Sequence, residues 1–256
     1  MAASLPFPCM IAVASGKGGV GKTWFSITLA SALAARGAQV LLFDGDLGLA
    51  NVDVQIGLDP KRDLGHVLAG SASLDQVVMR VEGANFDVIP GPSGSGALNG
   101  LPQQQVRSLG QELKRLAVGY DYVVLDLGAG IGRTVRSLAA MGDRTIVVTT
   151  DEPTALTDAY ALIKVTRDDG PTGRFDVVVN MAERLISGEK TYGYLLKASR
   201  QFLTMEPKLL GVVRRDSRVA ESIRRQMPFL LRHHEGPAAE DINRIAERVA
   251  LAAASR

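Results

Sequence analysis

Ser15 to Thr23 read SGKGGVGKT, with the apolar run MIAVA before them and a stretch of helical spacing, KTWFSITLASALAARG, running out of their end. This segment restricts the fold more than any other in the chain. Gly16 to Thr23 satisfy G-x-x-x-x-G-K-[ST], and the flanking strand and helix are the context that pattern needs. Its glycines let the backbone bend around phosphate oxygens, while the helix start adds N–H groups and the positive end of its dipole. Lys22 then reaches β- and γ-phosphates, and the Thr23 hydroxyl ligates Mg²⁺. Gly18, Gly19, Val20, Gly21, Lys22, Thr23 and Trp24 are the nucleotide-binding candidates of this loop. Trp24 stands where a second small polar residue is common, and its ring reads as packing on a neighbour.

Such a loop belongs in a parallel sheet, and the rest of the chain supplies one. Apolar runs recur at MIAVAS, AQVLLFD, FDVIP, YDYVVLDLG, RTIVVTT, RFDVVVN and KLLGVV, most of them separated by stretches of helical spacing. This alternation predicts a doubly wound, mostly parallel α/β sheet, and the unbroken hydrophobicity of the runs predicts helices on both faces. The first helix carries Phe25, Leu29, Ala32 and Leu33 on one face and stops at Gly37. QQVRSLGQELKRLAV and TALTDAYALIKVTR read similarly. With 256 residues and 46% hydrophobic composition, one domain spanning 1–256 accounts for the whole chain. The glycine- and serine-rich segment 91–100 reads either as a mobile loop near a ligand or as a linker turn, and DGDLGLANVDVQIG shows no clear period.

A formal charge of +2 is too balanced for electrostatic binding of nucleic acid by the whole surface. The arginines at 214, 215, 218, 224 and 225 form the one basic run, read as a solvated helix face without interleaved aromatics, so DNA is not an expected partner. Cys9 is the single cysteine, and with His66, His233 and His234 it makes no zinc spacing; the adjacent histidines read as loop residues. The lone cysteine fits a reducing compartment, the N-terminus has no basic leader, and no segment approaches the roughly eighteen apolar residues of a membrane span. A cytoplasmic location is expected.

Phosphoryl transfer needs carboxylates at the ends of neighbouring strands. YVVLDLGAG puts Asp126 at a strand end, the usual place for the carboxylate that holds Mg²⁺ through its water shell. VLLFDGD places Asp44 and Asp46 after another strand, and period-two alternation points both to one side, where one of them can position a water. Lys17 is left over. By spacing alone it is an ordinary surface lysine.

The segment KGGVGKT resembles the deviant Walker A loop of the MinD/ParA family of P-loop ATPases. The resemblance implies that Lys17 crosses a dimer interface to the partner subunit's nucleotide, so that ATP binding and homodimer formation are one event. It extends along most of the chain. DGDLGLANVD resembles the family's switch segment, which implies that Asp46 orients the lytic water, Asp44 lies near the metal and Asn51 faces the partner. VVVNMA resembles the strand ending in an adenine-reading asparagine, here Asn180, and GVVRRD resembles the segment whose backbone lines the adenine pocket, here Val213, Arg214 and Asp216. GAGI after Asp126 and DEPTALTDAYALIK resemble the flagellar-number branch of that family, the FlhG (FleN) type. There Glu152 is implied near the nucleotide or the dimer seam; the same stretch reads structurally as a helix with Pro153 in its first turn, Thr154 or Asp151 as cap, and Ala159, Leu162 and Ile163 facing the core.

The implied function is an ATP-dependent dimerisation switch with slow, partner-stimulated hydrolysis. It would regulate flagellar number or placement through a flagellar transcription regulator or basal-body component. The implied catalytic residues are Lys17, Lys22 and Asp46, with Thr23, Asp44 and Asp126 at the metal. The other readings are a positioning ATPase for DNA or other cargo, and an ATP-binding protein with little hydrolysis. MAASLPFP carries no glutamine-containing activator segment, so stimulation of a partner GTPase is not among the expectations. A C-terminal helix is expected over about 237–254, with Ile242, Ile245, Ala246, Val249 and Ala250 apolar. It reads as packed on the core, with peripheral membrane contact as the alternative.

Overall fold

The computed structural model describes residues 7–92, 101–167 and 174–254. Most of the segment 91–100 therefore lies outside the described residues. All seven apolar runs form strands: β1 (Cys9–Ser15), β2 (Val40–Gly45), β4 (Phe86–Ile89), β5 (Tyr122–Ala129), β6 (Arg144–Thr149), β7 (Phe175–Ala182) and β8 (Lys208–Arg214). They join a short eighth, β3 (Met79–Val81), in one sheet of order β3-β4-β2-β5-β1-β6-β7-β8. Every pairing is parallel except that of β3 with β4 at the edge. The sheet is the doubly wound one that the alternation predicts. Strands β5 and β6 flank β1 on its two sides, and the crevice beyond their carboxyl ends is where such sheets hold ligands.

Two helical layers cover the sheet, because alternate residues of each strand face opposite sides. On one side lie α1 (Lys22–Ala34), α9 (Phe229–Arg232) and α10 (Pro237–Ala254), packed over Ile11, Val13, Leu42 and Val124. On the other lie α4 (Gln103–Ala117), α6 (Pro153–Thr166) and α7 (Leu185–Leu203), packed over Ala12, Leu41, Phe43 and Val123. The shorter helices α2 (Val52–Ile56), α3 (Leu64–Leu68), α5 (Arg133–Ala139) and α8 (Ser217–Arg224) sit in the connections. Of these four only α8, within the arginine run read as a helix face, was legible, since one or two turns give too few repeats for a period to show.

Helix α1 differs from the single apolar stripe expected of it. Only Thr23 among its residues escapes burial, because α10 and α9 cover the side turned away from the sheet. Trp24 meets Phe229 edge-on, with ring centroids 5.5 Å apart. Phe25, Leu29 and Leu33 are buried as expected, each contributing about 2 kcal/mol. Gly37, at φ +88°, ends the turn after the helix.

The C-terminal helix occupies 237–254 as expected, and Ile242, Ile245, Ala246 and Val249 are buried against β8 and α1. Its apolar face is thus spent on the core. Among the described residues no helix is long and apolar enough to cross a membrane.

Candidate nucleotide-binding site

The glycine loop leaves β1 at Ser15 and enters α1 at Lys22. Gly19 and Gly21 both take φ +80°, a left-handed conformation that glycine reaches without steric cost. Gly21 is the N-cap position of α1 and supplies no side-chain cap, so the helix start is left open toward the crevice. A backbone curled in this way turns successive N–H groups to one side, which suits a phosphate group.

Lys22 is buried, and its Nζ lies 2.9 Å from Asp126 Oδ1. Ser26, one turn along α1, donates its hydroxyl to the same oxygen at 2.8 Å. Asp126 Oδ2 is buried with no hydrogen-bond partner among the described residues. Asp44 stands directly across from Asp126 in the β2–β5 register and is fully buried. Its Oδ1 accepts the Asp46 N–H at 3.1 Å, and its Oδ2 accepts the N–H groups of Asn51 and Val52, both at 3.1 Å. Burial first, and then the charge of Asp126, pushes the Asp44 carboxyl up to about 7 despite those donors and Lys22. Two buried carboxylates beside one ammonium, with one oxygen unpartnered, form a donor set suited to a hard divalent cation. Thr23 adds a hydroxyl at the partly exposed start of α1. These residues fit Mg²⁺.

Asp46 lies one residue beyond the end of its strand. β2 ends at Gly45, so a turn and not strand alternation sets its direction. Its Oδ1 accepts the N–H groups of Gly48 at 3.3 Å and Leu49 at 3.0 Å, and a methyl group on Gly128, in β5, would stand 3.4 Å from that oxygen. The carboxylate thus organises the loop after β2 and lies against the Asp126 strand. Beyond it Leu49 is 81% exposed and Asn51 is exposed at the start of α2.

Lys17 has a partner on its own chain. Its Nζ lies 2.5 Å from Glu152 Oε2 and 2.9 Å from Thr154 Oγ1, at the start of α6. The contact holds the Glu152 carboxyl below the usual range, through the hydrogen bond and then the charge of Lys17. The expected cap of α6 needs correction: Glu152 is the N-cap residue and no side chain caps the helix, because Thr154 is already inside it and faces Lys17. Pro153 opens the helix, and Ala159, Leu162 and Ile163 are fully buried as expected.

Asn180, at the far end of β7, donates its Nδ2 to the Val20 carbonyl at 2.9 Å, which brings it onto the glycine loop. Val213 is buried at the end of β8. Arg214 gives its backbone N–H and its Nε to Asp241 of α10 at 2.9 and 2.8 Å, with Glu240 adding a further ion pair. Asp216 caps α8 through the Arg218 N–H and pairs with the Arg218 guanidinium. The side chains of 214 and 216 are thus committed to structure. Arg225 likewise pairs with Glu221, so three of the five residues in the arginine run are neutralised internally.

Ser26 is the site residue that motif reading missed. Its signal was its place one helical turn after Lys22, on the face that α1 turns toward β5.

Comparison with known proteins agrees with this geometry. A family profile described as an AAA domain matches residues 9–171. The chain is 40% identical to the antiactivator FleN of Pseudomonas aeruginosa over 217 residues, covering 85% of this chain and 77% of that protein. It is 34% identical over 215 residues to the flagellum site-determining protein YlxH of Helicobacter pylori, covering 84% and 72%. The septum site-determining protein MinD of Pyrococcus horikoshii, solved as a complex with Mg-ADP, superposes with a TM-score of 0.78 at 26% identity, covering 95% of this chain and 96% of that one. With the glycine loop, the paired strand-end aspartates and the sheet order all in place, the chain belongs to the MinD/ParA family of P-loop ATPases, alongside its FlhG (FleN) flagellar regulators.

Proposed function

We propose that this chain is an ATP-dependent dimerisation switch that hydrolyses ATP slowly and regulates flagellar number or placement by presenting its dimer to a partner protein. The observation that carries the reading is Lys17. It leaves the glycine loop toward α6 and Glu152, while Lys22 turns toward Asp126, so the two lysines of one loop serve different places. The resemblance to the deviant Walker A loop implies that such a lysine reaches the partner subunit's nucleotide.

In this reading Gly18 to Trp24 hold the phosphates with backbone N–H groups, and Lys22 neutralises charge on them. Asn180 and the backbone around Val213 to Asp216 hold the adenine, and Asn51 and Glu152 lie at the dimer seam. Thr23, Asp44 and Asp126 hold Mg²⁺, which supplies charge neutralisation at the phosphate oxygens. Asp46, already fixed by two backbone donors, orients the attacking water, and the partner's Lys17 stabilises charge at the transferring group. Dimer contact is made with ATP and lost after hydrolysis, so the ATPase times a protein contact. The Pseudomonas relative's designation as an antiactivator supports a transcription activator as one such contact.

Phosphate release measured with Mg²⁺-ATP tests the enzymatic half. Slow turnover by the unaltered protein, abolished in Asp46→Ala while ATP binding persists, is the expected result. Equal turnover in Asp46→Ala would remove Asp46 from the reaction.

A further inference from the structure

A methyl group on Gly21 would lie 2.5 Å from Asn180 Nδ2 and 3.0 Å from Met181 Cε. Two consecutive residues of β7 thus occupy the space beside one glycine. A regular strand sends successive side chains to opposite faces, so it cannot do this. The irregularity is visible in the register. Val179 pairs with Val212 and Ala182 with Arg214, so β7 advances one residue more than β8. The extra residue is a bulge, and within it Met181 takes φ +57°, a left-handed conformation that side-chain-bearing residues rarely adopt. Strain of this kind persists where surrounding contacts hold it, and bulges beside sites serve to re-aim side chains.

What the bulge aims is a clamp on the glycine loop. Asn180 binds the Val20 carbonyl, and the terminal methyl of Met181 fills the space beside Gly21, the two residues that lead directly into Lys22. The unbranched, polarizable side chain suits a narrow and irregular gap. We propose that Met181 is a positioning residue for the phosphate loop: held left-handed by the bulge, it fixes Val20–Gly21 in the shape that receives phosphate. The inference rests on the nucleotide reading above and adds to it a residue that no motif marks.

The test is calorimetric titration of the unaltered protein, Met181→Gly, Met181→Ala and Met181→Leu with Mg²⁺-ATP and with inorganic tripolyphosphate, alongside thermal melts. Glycine takes φ +57° freely, so Met181→Gly is expected to fold, and Met181→Ala serves as the second variant that lacks the thioether. Both are expected to bind ATP and tripolyphosphate about fivefold more weakly, by the same factor for each, because preorganisation of the loop is lost. Met181→Leu, which keeps the bulk, is expected to bind both as the unaltered protein does.

Unchanged binding of both ligands by Met181→Gly and Met181→Ala would overturn the proposal. So would weakening toward ATP alone, since that places Met181 on the base and not on the loop. Failure of the unaltered protein to bind either ligand would overturn the nucleotide reading together with this one. Normal ATP binding that is indifferent to residue 181 would overturn only the latter.

Discussion

Lys17 and Glu152 form an ion pair, Nζ to Oε2 at 2.5 Å, that ties the glycine loop to the start of α6. The lysine that serves a partner subunit in the proposed function is therefore engaged within its own chain. Both residues are solvent-accessible, so the pair does little for stability. In the proposed function its effect falls on the dimer equilibrium.

Glu152→Gln is accordingly expected to leave the thermal midpoint unchanged. If release of Lys17 limits association, the variant forms the ATP dimer at lower ATP concentration than the unaltered protein. Light scattering across an ATP titration checks this; an unchanged midpoint would show that release of Lys17 does not limit association, and a raised one that Glu152 contributes more to the dimer than to the monomer.

Lys22 pairs with the buried Asp126, which also takes the Ser26 hydroxyl. Removing one partner of a buried ion pair leaves the other charge uncompensated, at a cost of about 3–5 kcal/mol. Lys22→Ala should lose stability on that scale in urea unfolding as well as nucleotide binding. Asp126→Asn in the same chain should restore much of the stability and none of the binding.

The Asp44 carboxyl, raised from 3.8 to about 7, gives the metal-free protein a pH dependence of definite sign. Between those values the folded state holds a proton that the unfolded state has released, so stability falls as pH rises through the window and levels off above it. Urea midpoints for the nucleotide-free protein should decline from pH 5 to pH 7, on the order of the shift that linkage allows, and Asp44→Asn should remove this component. Mg²⁺ with ADP should oppose the decline, because the metal favours the ionised carboxylate.

Arg214 joins β8 to α10 through Asp241, which is 2% exposed. Arg214→Ala leaves that carboxylate with the backbone N–H of residue 214 and with Arg244 at 3.6 Å, and should cost about 2 kcal/mol in urea unfolding. Replacing Arg215, whose one bond among the described residues is from its backbone N–H to the Ala182 carbonyl, should change stability by less than about 0.5 kcal/mol. Equal effects of the two substitutions would contradict the structural role of the Arg214 network.

The sheet was legible because its strands are long, apolar and buried on both faces, and the glycine loop because its spacing is bound to phosphate geometry. Asp44 and Asp126 could be paired in advance only as strand-end residues; their direct opposition depends on β2 lying beside β5, a topological fact that neither segment carries alone. Asp46 lies one residue past the end of β2, so strand alternation alone does not set its direction. The burial of α1 on nearly every side was hidden for a similar reason, as the covering helices come from the far end of the chain. Met181 was invisible, since nothing in VVVNMA announces a bulge.

The claim that matters most is that ATP binding and dimerisation are one event requiring Lys17. Solution mass by light scattering, with Mg²⁺-ATP and with Mg²⁺-ADP, on Asp46→Ala and on Asp46→Ala combined with Lys17→Ala, tests it most directly. The account predicts a dimer for Asp46→Ala with ATP only, and a monomer in every state once Lys17 is removed. A monomer with ATP in both proteins, or a dimer that survives the loss of Lys17, would contradict it.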